Sequence, residues 1–503
     1  MSRRIGGAVA VIAVALASLT ACSSGSSGAS PSADTTPTTA ARIRPDGPAA
    51  ALSQEITGGK GVFIGEAEAP DLAAAGYEQH EYVASGTASS YTADGPIPAD
   101  GRVAVREDTT ADYRTRILVR RPSDPNAFDG TVVVEWLNVS GGVDAGPDFT
   151  FMGPELMRSG AVWVGVSAQL IGVEGGTVAV TTGVQNDAIG KGLVKIDPAR
   201  YGTLDLPGDS FSYDIYTQVA RALRGDGGDA ALAGLRPERI LGIGESQSAF
   251  ALTTYVDAVH PVVQAYDGFL LHSRGGFSFP LAAPSGAADI AGSISNPSVQ
   301  IRTDLDVPVM MLETENDLTS VIGYYAARQD DTDHIRTWEM AGTAHADTTV
   351  MGSFASSLPC GAPINDGPQR FVVRAGLRAL DTRVRTGEAP PSGPRLEITT
   401  QSGAPTIVRD ERGNALGGIR LAQIEVPVGT LSGEKGPTGG AICMLSGTSI
   451  PFTSDQLAQL YPSTQSYLDR YAAATDAAIA AGFALPEDRA EMQAEAQPEV
   501  VPS

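Results

Sequence analysis

The chain alternates between short, nearly continuous apolar runs and stretches that are either amphipathic or loop-like. The runs fall at residues 130–138 (GTVVVEWLN), 160–167 (GAVWVGVS), 239–243 (RILGI), 266–273 (YDGFLLHS), 307–312 (VPVMML) and 334–340 (HIRTWEM). Apolar runs of this length without alternation suit strands buried on both faces. Covering helices are expected from about Pro154, over 213–223, directly after residue 248, over 365–388 and over 454–482. Before residue 121 the segments are shorter, as in 113–119 (YRTRILV), and are bounded by Gly, Pro, Asp and Ser. They predict antiparallel lead-in strands at one edge of the sheet. The fold class is α/β: a mostly parallel central sheet flanked by helices. Two aperiodic stretches rich in small residues, at about 170–210 and 274–304, read as insertions. The second stands where a lid over a site could arise. From about 390 short strands, Gly/Pro loops and the 454–482 helix form a C-terminal extension.

Composition narrows the partners. With 42% hydrophobic and 18% charged residues the chain can build a substantial core, and a net charge of −23 offers nothing to offset phosphate repulsion. Nucleic acid is excluded as a partner on that ground. The N-terminus reads MSRR, then an apolar run over 5–19, then Leu19-Thr20-Ala21-Cys22. A positive start, a short apolar stretch and small residues make a secretory signal over 1–21. The ending resembles the lipobox of bacterial lipoproteins, which implies diacylation of Cys22; the alternative is an ordinary signal peptide with an incidental cysteine. Residues 22–50, rich in Ser, Thr, Pro, Ala and Gly, then form a flexible tether, followed by one domain over 51–490 and a tail over 491–503. The expected location is outside the cytoplasm, with the membrane reached through the lipid. In an exported chain the two remaining cysteines, Cys360 and Cys443, most simply form one disulfide; two buried free thiols are the alternative.

Candidate chemistry begins where the 239–243 strand runs into Gly244-Glu245-Ser246-Gln247-Ser248 and then into helix-compatible residues. A nucleophile elbow needs this strand–turn–helix context, with small residues two before and two after the serine. Serine at 248 departs from the usual glycine. The competing reading is a serine in an ordinary βα turn. A serine hydroxyl needs a histidine base, and the base needs an orienting carboxylate. The α/β-hydrolase order of serine, acid and histidine on successive strand-ending loops is met by Ser246, Asp317 and His345. Glu315 lies on the same loop as Asp317 and is the alternative acid. His272 also ends a strand but precedes the acid, so its expected role is a structural hydrogen bond beneath the site. The oxyanion hole is expected from the backbone N–H of Gln247 with that of Val139 or Ser140, the Asn138 side chain bracing the loop. This chemistry, an acyl transfer from an ester, calls for no metal or organic cofactor.

Several segments together are similar to the bacterial "alpha/beta hydrolase domain" family of mostly uncharacterised, often exported proteins. They are residues 134–142 (VEWLNVSGG), 200–202 (RYG), 207–215 (PGDSFSYDI), 244–249 (GESQSA), 342–347 (GTAHAD) and 417–420 (GGIR). The resemblance covers about 55–485, so it implies that the C-terminal part belongs to the same domain. It also implies the α/β-hydrolase fold and a hydrolase activity, and the serine at 248 looks usual for the family; it supplies no substrate. The leading expectation is a lipid-anchored serine hydrolase acting on a small-molecule carboxylic ester. A ligand-binding lipoprotein on the same scaffold, and an acyltransferase or peptidase using the same three residues, are the alternatives.

Overall fold

The apolar runs form the parallel centre of a nine-stranded sheet in the computed structural model. The structure describes residues 46–502 except 67–69, 182–186, 284–285, 402 and 437–438. The signal segment, Cys22 and most of the tether lie outside the described residues. The strands are β1 (Ala51–Glu55), β2 (Tyr77–Ala93), β3 (Val105–Pro122), β4 (Thr131–Trp136), β5 (Val162–Val166), β6 (Arg239–Glu245), β7 (Gly268–His272), β8 (Val309–Thr314) and β9 (Ile335–Met340). Their spatial order is β1-β2-β3-β5-β4-β6-β7-β8-β9. The first three are antiparallel, β3 meets β5 antiparallel, and every pairing from β5 onward is parallel.

Alternate residues of the central strands enter opposite core layers, which is why the sequence shows no polar alternation there. Val132 and Val134 face one layer, Val133 the other; Phe269 and Leu271 oppose Leu270 in the same way. Helices Ser212–Arg224 and Gln247–Thr254 cover the first face, through Tyr216, Val219, Ala249 and Leu252. Helices Pro147–Ser159 and Gln369–Thr386 cover the second, through Phe151, Leu156, Phe371 and Leu380.

Two expectations change. The helix expected from Pro154 starts at Pro147 instead, with Pro154 inside it. Proline is favoured in the first turn, where its missing N–H has no helical partner, and the sequence offered two prolines for that place. The 454–482 helix is two helices, Ser454–Leu460 and Thr464–Ala480, each with its own side-chain cap from Thr453 and Ser463. Pro462 lies between them and lacks the N–H that a continuous helix requires. The described part of 274–304 is anchored in the core at its start: Arg274 is fully buried, Phe277 and Phe279 are nearly so. Gly276 N–H donates to the Ile322 carbonyl and Val299 N–H to the Gly276 carbonyl.

Candidate active site

The loops that carry the expected chemistry all leave the C-terminal ends of the parallel strands. At the end of β6 the chain turns so sharply that Ser246 takes φ 58° and ψ −121°. A non-glycine residue there is strained by about 1–3 kcal/mol and persists only where its surroundings hold it. The crowding is visible at Gly244, where an added Cβ would stand 2.9 Å from the Ser248 Cβ. Small residues at both positions are therefore a steric requirement, and the serine at 248 fits, fully buried. Ser246 is half-buried, and the helix Gln247–Thr254 begins directly after it.

Asp317 lies in the helical turn Glu315–Thr319 that follows β8. Thr314 and Asp317 form a capping box: Asp317 Oδ2 accepts from the Thr314 N–H and hydroxyl, both at 2.7 Å. This leaves Oδ1 facing out of the turn. His345 follows β9, in a loop tied down by the Ala346 N–H donating to the Leu445 carbonyl at 2.9 Å. The three side chains meet in a line. His345 Nε2 is 2.7 Å from Ser246 Oγ and His345 Nδ1 is 2.6 Å from Asp317 Oδ1. Asp317 is wholly buried, and burial alone would raise its pKa. The charge and hydrogen bond of His345, with the two Thr314 bonds, outweigh burial and hold the carboxyl below its ordinary value.

Glu315 is not brought to the imidazole. Its carboxylate accepts from Gly342 N–H at 2.6 Å, Gly433 N–H at 3.0 Å and Arg409 Nη2 at 2.8 Å. It clamps the acid loop to the base loop and to the C-terminal extension. His272 sits beneath the site, with Nδ1 2.8 Å from Asp148 Oδ1 and Nε2 2.9 Å from Gln369 Nε2. Val139 requires a correction. Its N–H donates to Gln247 Oε1 at 3.0 Å, and Ser140 N–H donates to Asn138 Oδ1 at 2.8 Å, so neither is free for an oxyanion. The Gln247 side-chain oxygen takes the place of an acceptor for the loop because its amide is itself fixed, Nε2 donating to Gln169 Oε1 at 2.6 Å. Asn138 braces the loop, its Nδ2 donating to the Glu245 carbonyl at 3.1 Å. Cys360 and Cys443 are joined by a disulfide.

One site residue was missed. Glu245, next to the serine, is buried with Oε1 3.6 Å from His345 Nε2. A charged residue between the apolar part of the strand and the serine was the signal for it. Among the described residues, no group of three His, Cys, Asp or Glu is placed to hold a metal ion.

Comparison with known proteins identifies the family. The model of the "Alpha/beta hydrolase domain" family matches residues 46–494. The chain belongs to that family. Solved structures similar to this alpha/beta hydrolase include fungal esterases from Rhizomucor miehei (11% identity, 63% of this chain and 88% of theirs, TM-score 0.29). A serine hydrolase without lid from Xanthomonas campestris is 13% identical over 58% of this chain and 94% of its own, TM-score 0.28. A thermostable esterase from Pseudomonas putida ECU1011 is 12% identical over 57% of this chain and 79% of its own, TM-score 0.29. No curated protein matches the sequence.

Proposed function

We propose that this alpha/beta hydrolase is a serine esterase, exported and held at the outer face of the cytoplasmic membrane by a lipid on Cys22. The observation that carries the catalytic part is the hydrogen-bonded line from Asp317 through His345 to Ser246. In this reading Ser246 Oγ attacks the carbonyl carbon of a small-molecule ester while His345 Nε2 takes its proton. Asp317 keeps the proton of Nδ1 in place and stabilises the imidazolium. His345 then protonates the leaving alcohol, and water hydrolyses the acyl-enzyme by the same exchange in reverse. The Gln247 N–H, at the start of its helix, receives the oxyanion. A second donor comes from the loop after β4. There the N–H groups of Val139, Ser140 and Gly142 are all engaged, leaving that of Gly141 without an acceptor among the described residues.

A fluorophosphonate probe tests the nucleophile. Purified wild type is expected to label and Ser246→Ala is not; an unreactive wild type would instead favour the ligand-binding alternative and refute the esterase. A panel of nitrophenyl esters of graded acyl length, with Ser246→Ala as control, then reports the preferred acyl group. Membrane fractionation tests the anchor: Cys22→Ala should move the protein out of the membrane fraction, and an unchanged distribution would refute lipidation.

A further inference from the structure

Glu245 has no role in the scheme above, yet its placement is specific. Its side chain is almost wholly buried, with Oε1 3.6 Å from His345 Nε2, the nitrogen that faces Ser246 Oγ at 2.7 Å. The other oxygen, Oε2, accepts from Asn138 Nδ2 at 3.3 Å. That amide nitrogen also holds the Glu245 carbonyl, so one anchored donor ties the carboxyl to its own backbone. A separation of 3.6 Å is too long for a direct hydrogen bond, and it is short enough for one water oxygen to reach both groups.

The need for such a water arises in the second half of the reaction. While the serine is free, its hydroxyl is the partner of Nε2. Once Oγ is acylated it has no proton to give, and Nε2 must take one from a different oxygen. We propose that Glu245 is the second arm of the deacylation site: its carboxyl and His345 Nε2 together hold the water that attacks the acyl-enzyme. This rests on the serine acyl-enzyme reading above. The step balances without further reagents. The water oxygen bonds to the acyl carbon as one water proton passes to Nε2. The bond from acyl carbon to Oγ then breaks, the Nε2 proton returns to Oγ, and the carboxylic acid leaves. Glu245 keeps its own proton throughout.

The surroundings favour that neutral form. Burial, then Asp148, Asp317 and Glu135, push the Glu245 pKa well above the ordinary carboxyl range, the Asn138 bond opposing them in part. With Oε2 accepting from Asn138, the proton of the neutral carboxyl sits on Oε1, where it donates to the water oxygen and leaves a water O–H to point at Nε2.

Stopped-flow kinetics with a nitrophenyl ester separates the two half-reactions. Glu245→Met is expected to keep a stoichiometric burst with an acylation rate within about threefold of wild type, while steady-state turnover falls about 10–100-fold. Glu245→Gln, which keeps a donor and an acceptor, should recover most of the lost deacylation. Equal loss in both half-reactions, or Glu245→Met turning over as wild type, overturns the proposal. Fluorophosphonate labelling keeps the two readings apart: an unlabelled wild type removes the acyl-enzyme itself, whereas a labelled Glu245→Met with normal deacylation removes only this role. If Glu245→Met does not fold, a crystal structure of the wild-type acyl-enzyme decides. Water within hydrogen-bond distance of both Glu245 Oε1 and His345 Nε2 supports the proposal, and its absence overturns it.

Discussion

Asp317→Asn is expected to lower kcat/KM by about 10,000-fold, through the direction of hydrogen bonds more than through loss of charge. The carboxylate accepts on both sides: two bonds from Thr314 on Oδ2, one from His345 on Oδ1. An amide has one accepting oxygen and must choose. With its oxygen toward Thr314 it keeps both bonds, each worth about 0.5–1.5 kcal/mol. Reversed, it sets NH2 against the Thr314 N–H and leaves a buried donor unpaired, at about 1–3 kcal/mol. A single bond from His345 does not offset that. The NH2 therefore faces His345, Nδ1 becomes an acceptor, and the ring proton moves to Nε2. A protonated Nε2 in a neutral ring cannot deprotonate Ser246, and the wrong tautomer accounts for a loss of about four orders of magnitude, or about 5.5 kcal/mol. The assay is initial-rate hydrolysis of a nitrophenyl ester by wild type and variant, with circular dichroism to establish that both are folded. Retention of more than a tenth of the wild-type kcat/KM would refute the assignment of Asp317 as the acid.

Glu315→Ala should cost about 2–4 kcal/mol of stability in urea unfolding, because two backbone donors and Arg409 lose their shared acceptor; a change below 0.5 kcal/mol, on the order of a neutral surface substitution, would show the clamp to be idle. Replacing Cys360 and Cys443 together by alanine opens a link across a separation of 83 residues, with an expected loss of about 4–5 kcal/mol on the loop-entropy model. Denaturant curves of wild type and variant test this, and coincident midpoints would rule it out. Burial pushes the Asp347 carboxyl up to about 7, above an unfolded value of about 3.9. Its stabilising contribution is therefore full below about pH 4 and lost as pH rises through about 7. Asp347→Asn, which can still cap the turn Thr348–Met351, should lose less stability than wild type between pH 4 and 8; superimposable pH–stability profiles would contradict this.

The parallel strands could be read directly because burial on both faces forces unbroken apolar runs, and the elbow because strand, small-residue turn and helix follow one another within a few residues. Loop spacing left Asp317 and Glu315 as alternatives, since both lie within five residues of the strand. A local cue did separate them: Thr314 three positions before Asp317 is a capping pattern, and the cap is what turns Oδ1 toward His345. No such cue existed for Val139. Its N–H is engaged by a side chain 108 residues away, and pairings of that range leave no trace in local sequence. The same limit hid Pro147 behind Pro154, where tertiary packing chose between two equivalent starts.

The C-terminal extension shows what such long-range pairings accomplish. Asp317 and His345 come from different strands, and the line they make with Ser246 tolerates little displacement: misplacement by about 1 Å can cost roughly a hundredfold in rate. The extension grips both loops from one side. Asn316 Nδ2 donates to the Gly433 carbonyl at 2.7 Å and the Met444 carbonyl at 2.9 Å, and the Leu445 carbonyl receives the Ala346 N–H at 2.9 Å. The disulfide at Cys443 fixes the short segment that supplies the last two of these carbonyls. The sheet sets where the loops begin, and this segment sets where their tips end. Because one disulfide-tied segment holds the acid loop and the base loop together, loosening it would disturb the Asp317–His345 distance without unfolding the sheet. Any loss of activity on breaking the disulfide should therefore precede loss of the fold.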